Sequence, residues 1–220
     1  MNPEQAEILR TAREKLQSGE DDLILEAINA LAETNLDESS ELVISCLDST
    51  NEKIRLSAVQ ALGILKPENT VELLTALLQK ESSPFVRATA AIALGNTKKM
   101  ESLSALAGLL RDEDARVRAN AVEGVTQLGY PPAIKMLTPL LEDKSSRVKT
   151  NVAMALWKFG GLRMISYLEK MLSTGINKWD RASAAYALGE IGGFQAMSTL
   201  LSSLHDRKSE VKRNVIRSLG

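Results

Sequence analysis

Arg87-Ala88-Thr89-Ala90-Ala91-Ile92-Ala93-Leu94-Gly95 returns almost residue for residue as Arg181-Ala182-Ser183-Ala184-Ala185-Tyr186-Ala187-Leu188-Gly189, and Arg55 through Ala61-Leu62-Gly63 follows the same template. Outward from that stretch, a basic residue recurs at Arg55, Arg87, Arg118, Lys149, Arg181 and Lys212, in steps of 31 or 32. A second marker, the final leucine of a later apolar segment, keeps the same step at Leu47, Leu78, Leu110, Leu141, Leu172 and Leu204. Two markers with one period define structural copies. A period of this size fits one helical hairpin per copy, stacked so that each buries a face it could not bury alone.

The markers place copies at about residues 20–48, 49–80, 81–112, 113–143, 144–174 and 175–206. Local chemistry agrees. Ser83 can cap the orphan amides of a helix that opens on Pro84, where a missing N–H costs nothing. Gly129, Gly160 and Gly192 share the slot after the first helix, where a positive φ closes it; Lys66 and Lys98 hold that slot in two copies and make those turns less secure. In the second helix of a copy, Val71, Leu74, Leu77 and Leu78 form one apolar stripe at helical spacing.

These units resemble HEAT repeats, in particular the short bacterial HEAT-like type also found in phycobilin lyases, over nearly the whole chain. The resemblance implies an all-α, right-handed α-α superhelix of about 14 helices in stacked antiparallel hairpins. It also implies an Asp ahead of each first helix and an Arg inside it. Asp48, Asp112, Asp143 and Asp206 precede Arg55, Arg118, Lys149 and Lys212 by six or seven residues; Lys80 and Thr174 replace the Asp in two copies, and Ile24 replaces the first Arg. A guanidinium accepts a carboxylate in a bidentate fork, so these residues with Arg87 and Arg181 are expected to form a structural Asp/Arg ladder rather than a ligand stripe.

The ends depart from the pattern. Asn2-Pro3 reads as a cap, and Ile8, Leu9, Ala12 and Leu16 make one apolar stripe, with Leu16 placed 31 before Leu47. Residues 1–19 are therefore a capping half repeat. Val211, Val215, Ile216 and Leu219 form a first helix at 207–220 without its second. The expectation is that the chain is a fragment, or that its uncapped C-terminal end carries another chain or a further copy.

With 44% apolar and 25% charged residues, the sequence has ordinary soluble composition and enough apolar material for a continuous core in one elongated domain, 1–220. No run approaches the roughly 18 to 20 apolar residues of a membrane span, and residues 1–20 lack a signal-peptide core, so a cytoplasmic location is expected. Cys46 is the single cysteine and fits a buried core slot; His205 is the single histidine and lies far from it in sequence. The iron-binding branch of HEAT-like proteins, the deoxyhypusine hydroxylases, uses repeated His-Glu pairs, and this sequence has none. No calcium loop, phosphate loop or Gly-x-Ser-x-Gly elbow is present either. No catalytic residue, metal or cofactor is assigned, and the chain is expected not to be an enzyme.

Function is read from charge and aromatics. Residues 1–50 carry 3 basic and 12 acidic side chains, whereas residues 111–220 carry 17 and 11. Lys135, Arg163, Tyr167 and Lys170 form a thin basic and aromatic group on the fourth and fifth second helices. Trp157 stands in the slot of Gly63, Gly95 and Gly189, and Trp179 and Asp180 replace Phe85 and Val86. These six basic and aromatic residues are the candidate partner-binding set; Asp180 has no account at this level. The leading expectation is a scaffold that holds another protein on its concave face. The alternatives are a nucleic-acid binder using the basic half, or an enzyme of the lyase or HEAT-like glycosylase kind.

Overall fold

The computed structural model describes residues 3–34, 36–159, 163–175 and 178–220. Among them lie fourteen α-helices, two 3-10 segments and no strand. The chain divides into two compact units, Met1–Leu128 and Gly129–Gly220.

In the first unit, α1 (Pro3–Gln17) packs on α2 (Asp21–Ala32). Three hairpins of similar plan follow: α2 with α3 (Asp37–Ile44) and a 3-10 turn at Ser45–Asp48, α4 (Glu52–Leu65) with α5 (Thr70–Leu78), and α6 (Pro84–Asn96) with α7 (Ser102–Leu109). The last element is α8 (Ala115–Leu128). First helices stack on first helices: α2 on α4, α4 on α6, α6 on α8. Their contact faces are small. A Cβ at Gly95 would stand 2.5 Å from Gly124 Cα, and one at Gly63 would stand 3.0 Å from Ala93 Cβ. Small residues thus let the helix backbones approach closely, while Ile28, Leu31, Leu62, Leu74, Leu94 and Leu106 fill the space to the second helices and are fully buried.

The termini of these helices follow from their residues. Ser83 Oγ accepts from the Phe85 and Val86 amides at 3.2 and 3.4 Å, and Asn51 Oδ1 accepts from the Lys53 amide at 2.8 Å. Lys66 and Lys98 adopt positive φ, +50° and +54°, as Gly129 and Gly192 do at +67° and +68°. The turn is therefore kept where its glycine is missing, and the lysines carry the steric cost. Gly160 and Asn2, the other residues named for such roles, lie outside the described residues. Buried Ser39, Thr70 and Ser102 open the second helices. Ser39 and Ser102 each hydrogen-bond the threonine five residues back, Thr34 and Thr97, whose Oγ1 donates to Leu31 and Leu94 carbonyls.

In the second unit, α9 (Pro131–Lys135) and a 3-10 segment at Thr138–Glu142 are followed by α10 (Ser146–Lys158), α11 (Arg163–Thr174), α12 (Lys178–Ile191), α13 (Gly193–Ser202) and α14 (Ser209–Leu219). Here α10, α12 and α14 are the stacked first helices. Their core joins Ala153, Ala184, Ala185 and Leu188 to Leu168, Leu172 and Leu200 of the second helices. Trp157 occupies the slot in which Gly189 faces Ser218, and its indole is half-buried.

Candidate functional site

Arg55, Arg87 and Arg181 each form a rung with the acid that follows their own hairpin, 25 or 26 residues on. Arg55 Nε and Nη2 donate to Glu81 at 2.8 and 2.9 Å, and Arg87 Nε and Nη2 donate to Asp112 at 2.7 and 3.0 Å. Arg181 holds Asp206 in the same way at 3.1 and 3.4 Å. Nη1 of each arginine is spent on loop carbonyls: Ser49 and Thr50 for Arg55, Glu81 and Ser82 for Arg87, Asp112 and Glu113 for Arg118, Gly175 for Arg181. Each acid also accepts the amide two residues on, at Ser83 for Glu81, Asp114 for Asp112, Ser145 for Asp143 and Lys208 for Asp206. The rung is a covered fork that satisfies the loop as well as the charge.

Burial pushes the carboxyls of Glu81, Asp112 and Asp206 up, but their guanidinium and amide donors outweigh it and hold all three below the usual carboxylate range. Asp48 is not a rung. It faces Lys80 at 2.6 Å with both side chains exposed, because the slot one hairpin earlier holds Ile24 and offers no guanidinium. Glu81, one residue beyond Lys80, supplies the acid that the sequence reading found missing there. Among the described residues Lys212, the last cation of the row, has no carboxylate within ion-pair distance.

Between Arg118 and Arg181 the row holds Lys149, and the acid slot after its hairpin holds Thr174 and Gly175. Asp180 takes over. Its Oδ1 lies 2.7 Å from Lys149 Nζ and accepts the Ser146 hydroxyl at 2.6 Å, with both charged side chains largely buried. This gives Asp180 the role that the sequence left open. Beside this pair lies a cleft of about 310 Å³, lined by Leu141, Lys149, Tyr167, Lys170, Met171 and Asp180 among others. Tyr167 Oη donates to the Leu141 carbonyl at 2.6 Å, and burial, with Glu142 and Asp180 adding negative charge, pushes its phenol up to about 12.

Of the candidate partner-binding set, only Tyr167 and Lys170 share that cleft. Lys135 and Arg163 are exposed at other points of the unit, and Trp157 is half-buried. Trp179 is 59% exposed, with the Lys178 ammonium 4.8 Å above its ring; Phe85, in the same slot, carries the Arg116 guanidinium at 4.0 Å. Among the described residues no group of three metal-ligating side chains is present, and no helix is long and apolar enough to cross a membrane.

The largest departure from a sealed surface was not read from the sequence. On α13, Phe194, Met197 and Leu201 recur at helical spacing and are 90%, 52% and 50% exposed. Gln195 and Thr199 of the same helix turn toward α11, where both donate to Glu169, and Ala196 and Leu200 are buried. The apolar stripe therefore lies on the face turned away from α11. On α14, Ile216 is 60% exposed, although its counterparts Ile28, Val59, Ala91, Val122, Ala153 and Ala185 are at most 1% exposed. The signal on α14 was available only as register, since Ile216 stands in the core slot four residues after its cation.

A model of the family of HEAT repeats matches residues 9–95 and 102–189. Among solved structures, the chain is similar to one from the complex of CpcE and CpcF of phycocyanin lyase from Nostoc sp. PCC7120, at 22% identity and a TM-score of 0.62, covering 96% of this chain and 93% of that one. It is also similar to YibA of Escherichia coli, at 18% identity and a TM-score of 0.59, covering 100% and 92%. No curated protein matches the sequence. The first likeness corrects one expectation. The same solenoid, over almost all of its length, is found in a lyase complex, so the lack of a catalytic motif is no ground for setting enzymes aside, and the expectation of a non-enzymatic chain is withdrawn.

Proposed function

The chain belongs to the HEAT-repeat family, and we propose that it works as a helical-repeat scaffold whose second unit docks a partner protein through the apolar surface of α13 and α14. The observation that carries this reading is the exposed stripe of Phe194, Met197 and Leu201 along one face of a single helix. Anchors at i, i+3 and i+7 are how one helix presents an apolar face to a groove or to another helix. Scattered exposed apolar residues are ordinary, whereas a continuous row on one helix face is the mark of an interaction surface. The unit around it carries 14 Lys and Arg against 7 Asp and Glu, which favours an acidic partner. The similar lyase structure is likewise an assembly of two proteins, CpcE and CpcF.

The test is affinity capture with the wild-type chain beside a Phe194→Asp, Leu201→Asp variant, nuclease-treated, at two salt concentrations, with an absorbance scan of the eluate. Both positions are exposed, so circular dichroism should match between the two proteins. A protein retained at both salts by the wild type and lost by the variant supports the reading. Binders that survive the substitutions, or that vanish with nuclease, overturn it in favour of another face or of nucleic acid. A coloured eluate directs attention to pigment chemistry of the lyase kind.

A further inference from the structure

The cleft beside Lys149 and Asp180 has a counterpart in the second copy, and the two differ in how far their cations are already engaged. The counterpart measures about 290 Å³ and is lined by Leu47, Asp48, Arg55, Leu77 and Glu81 among others. Its Leu47, Arg55 and Leu77 correspond to Leu141, Lys149 and Met171, each 94 residues on. Arg55 uses Nε and Nη2 on Glu81 and Nη1 on the Ser49 and Thr50 carbonyls, and Lys80 lies 2.6 Å from Asp48. Both cations of that cleft are therefore taken up by the protein itself.

In the cleft of about 310 Å³ the same positions carry different chemistry. Lys149 stands where Arg55 does, with its side chain only 18% exposed. An ammonium has three N–H donors, and among the described residues Asp180 is the only acceptor that Lys149 Nζ reaches, so two donors are unused. Asp180 is itself engaged, by the Ser146 hydroxyl as well as by the ammonium. Tyr167 and Lys170 stand where the earlier copy has Leu73 and Ala76. Lys170 brings a second ammonium, exposed and, among the described residues, paired with no carboxylate. The Tyr167 ring, Leu141 and Met171 give the lining its apolar part. The Tyr167 phenol, pushed up to about 12, stays neutral near pH 7 and adds no charge. Glu142 completes the charged lining and is exposed.

We infer that this cleft binds a small monocarboxylate with an apolar body, its carboxylate held by the Lys149 and Lys170 ammonium groups and its body lying against Tyr167, Met171 and Leu141. Size, donors and charge select that class. Small-ligand clefts begin at roughly 300 Å³, so the occupant is small. Ammonium donors beside an apolar lining call for one anionic group on an apolar body, and a carboxylate takes such donors in charge-assisted hydrogen bonds. Lys149 is largely withdrawn from water, which strengthens the bond it can make. Asp180 and Glu142 balance the two ammonium groups, so the lining has no net charge and gives a dianion such as phosphate no advantage over a single carboxylate. None of the lining residues is on α13 or α14, so the site is separate from the docking face and is tested apart from it.

Nuclear magnetic resonance of the full chain, labelled at its methionine methyls, tests this, with the Met171 signal assigned through Met171→Leu as the local reporter. Phenylacetate is titrated beside benzyl alcohol, which lacks the carboxylate, and inorganic phosphate, which lacks the apolar body. The expected result is a saturable shift of the Met171 signal with phenylacetate, at a Kd about tenfold or more below that of either control, the worth of one charge-assisted hydrogen bond. Two variants locate the carboxylate. Lys170→Met, at an exposed position, should weaken phenylacetate about tenfold and leave benzyl alcohol unchanged. Lys149→Met with Asp180→Leu keeps the net charge and should weaken phenylacetate to a similar degree, with circular dichroism checking its fold. A Met171 signal that does not move, phenylacetate binding no tighter than benzyl alcohol, or binding undiminished in either folded variant would overturn the inference.

Discussion

Lys149 and Asp180 form a buried ion pair 2.7 Å apart across 31 residues of sequence, where a lysine stands in the arginine row and the usual acid slot holds Thr174. An ammonium replaces the guanidinium, and the carboxylate comes from the first turn of the next helix. Breaking one side of a buried pair leaves a desolvated charge and typically costs ~3–5 kcal/mol, while replacing both sides by apolar groups is often neutral. Asp180→Ala is therefore expected to lower stability by about 3 kcal/mol in urea titration, and Lys149→Met with Asp180→Leu to recover most of that loss. A loss below about 1 kcal/mol for the single variant would mean that water already screens the pair.

That pair marks the limit of what the sequence disclosed. The period was legible because two markers, cation and leucine, keep step through six copies, and the cap at Ser83 follows from residue type. Rung partners were not legible, because the resemblance draws the eye to an Asp six or seven residues before each cation. The bond itself spans 25 or 26 residues to the far end of the hairpin. Glu81 was missed for being one position out of register, and Asp180 because its partner lies on another helix. Asn120 and Asn214, two residues after their cations, went unremarked although each donates to the carbonyl 32 residues earlier, Ala88 and Ala182. The exposed stripe on α13 follows from what packs beside that helix, which no local pattern records.

The rungs also set a response to acid. Glu81, Asp112 and Asp206 have folded values below their ordinary 4.5, 3.8 and 3.8, so the folded state binds fewer protons than the unfolded chain at these sites. Their contribution is present above those ordinary values and is lost as pH falls through the lowered folded values. The melting temperature should therefore hold level from neutrality to about pH 5 and drop below about pH 4. Arg87→Met should lower the melting temperature at pH 7 while flattening its fall at pH 3 to 4, because Asp112 then loses the donor that depresses it. An unchanged acid limb in that variant would separate the ladder from acid sensitivity.

Lys66 and Lys98 give a test of the turn geometry. A side chain in the left-handed region costs roughly 1–2 kcal/mol, and glycine removes that cost while adding freedom to the unfolded chain. Lys66→Gly and Lys98→Gly should each raise stability by about 0.5–1 kcal/mol, whereas Gly129→Ala, at φ +67°, should lower it by about 1 kcal/mol. Differential scanning calorimetry of the three variants decides it; a destabilised Lys66→Gly would show that the lysine stem contributes packing that outweighs its backbone conformation.

Two helical glycines should respond to alanine in opposite directions. At Gly124 a Cβ would stand 2.6 Å from the Ala91 carbonyl oxygen and 2.8 Å from Leu106 Cδ2, so α8 would have to move away from α6. Overpacking of this kind costs ~1–3 kcal/mol, and a backbone oxygen cannot swing aside as a side chain can, so Gly124→Ala is expected at or above about 2 kcal/mol of destabilisation. Gly108, inside α7, has nothing within 4 Å of the added carbon. There the methyl meets no neighbour and the unfolded chain loses freedom, so Gly108→Ala should stabilise by up to about 1 kcal/mol. Chemical denaturation of both variants checks the pair. A tolerated Gly124→Ala would show that first helices in this solenoid are not held at backbone contact.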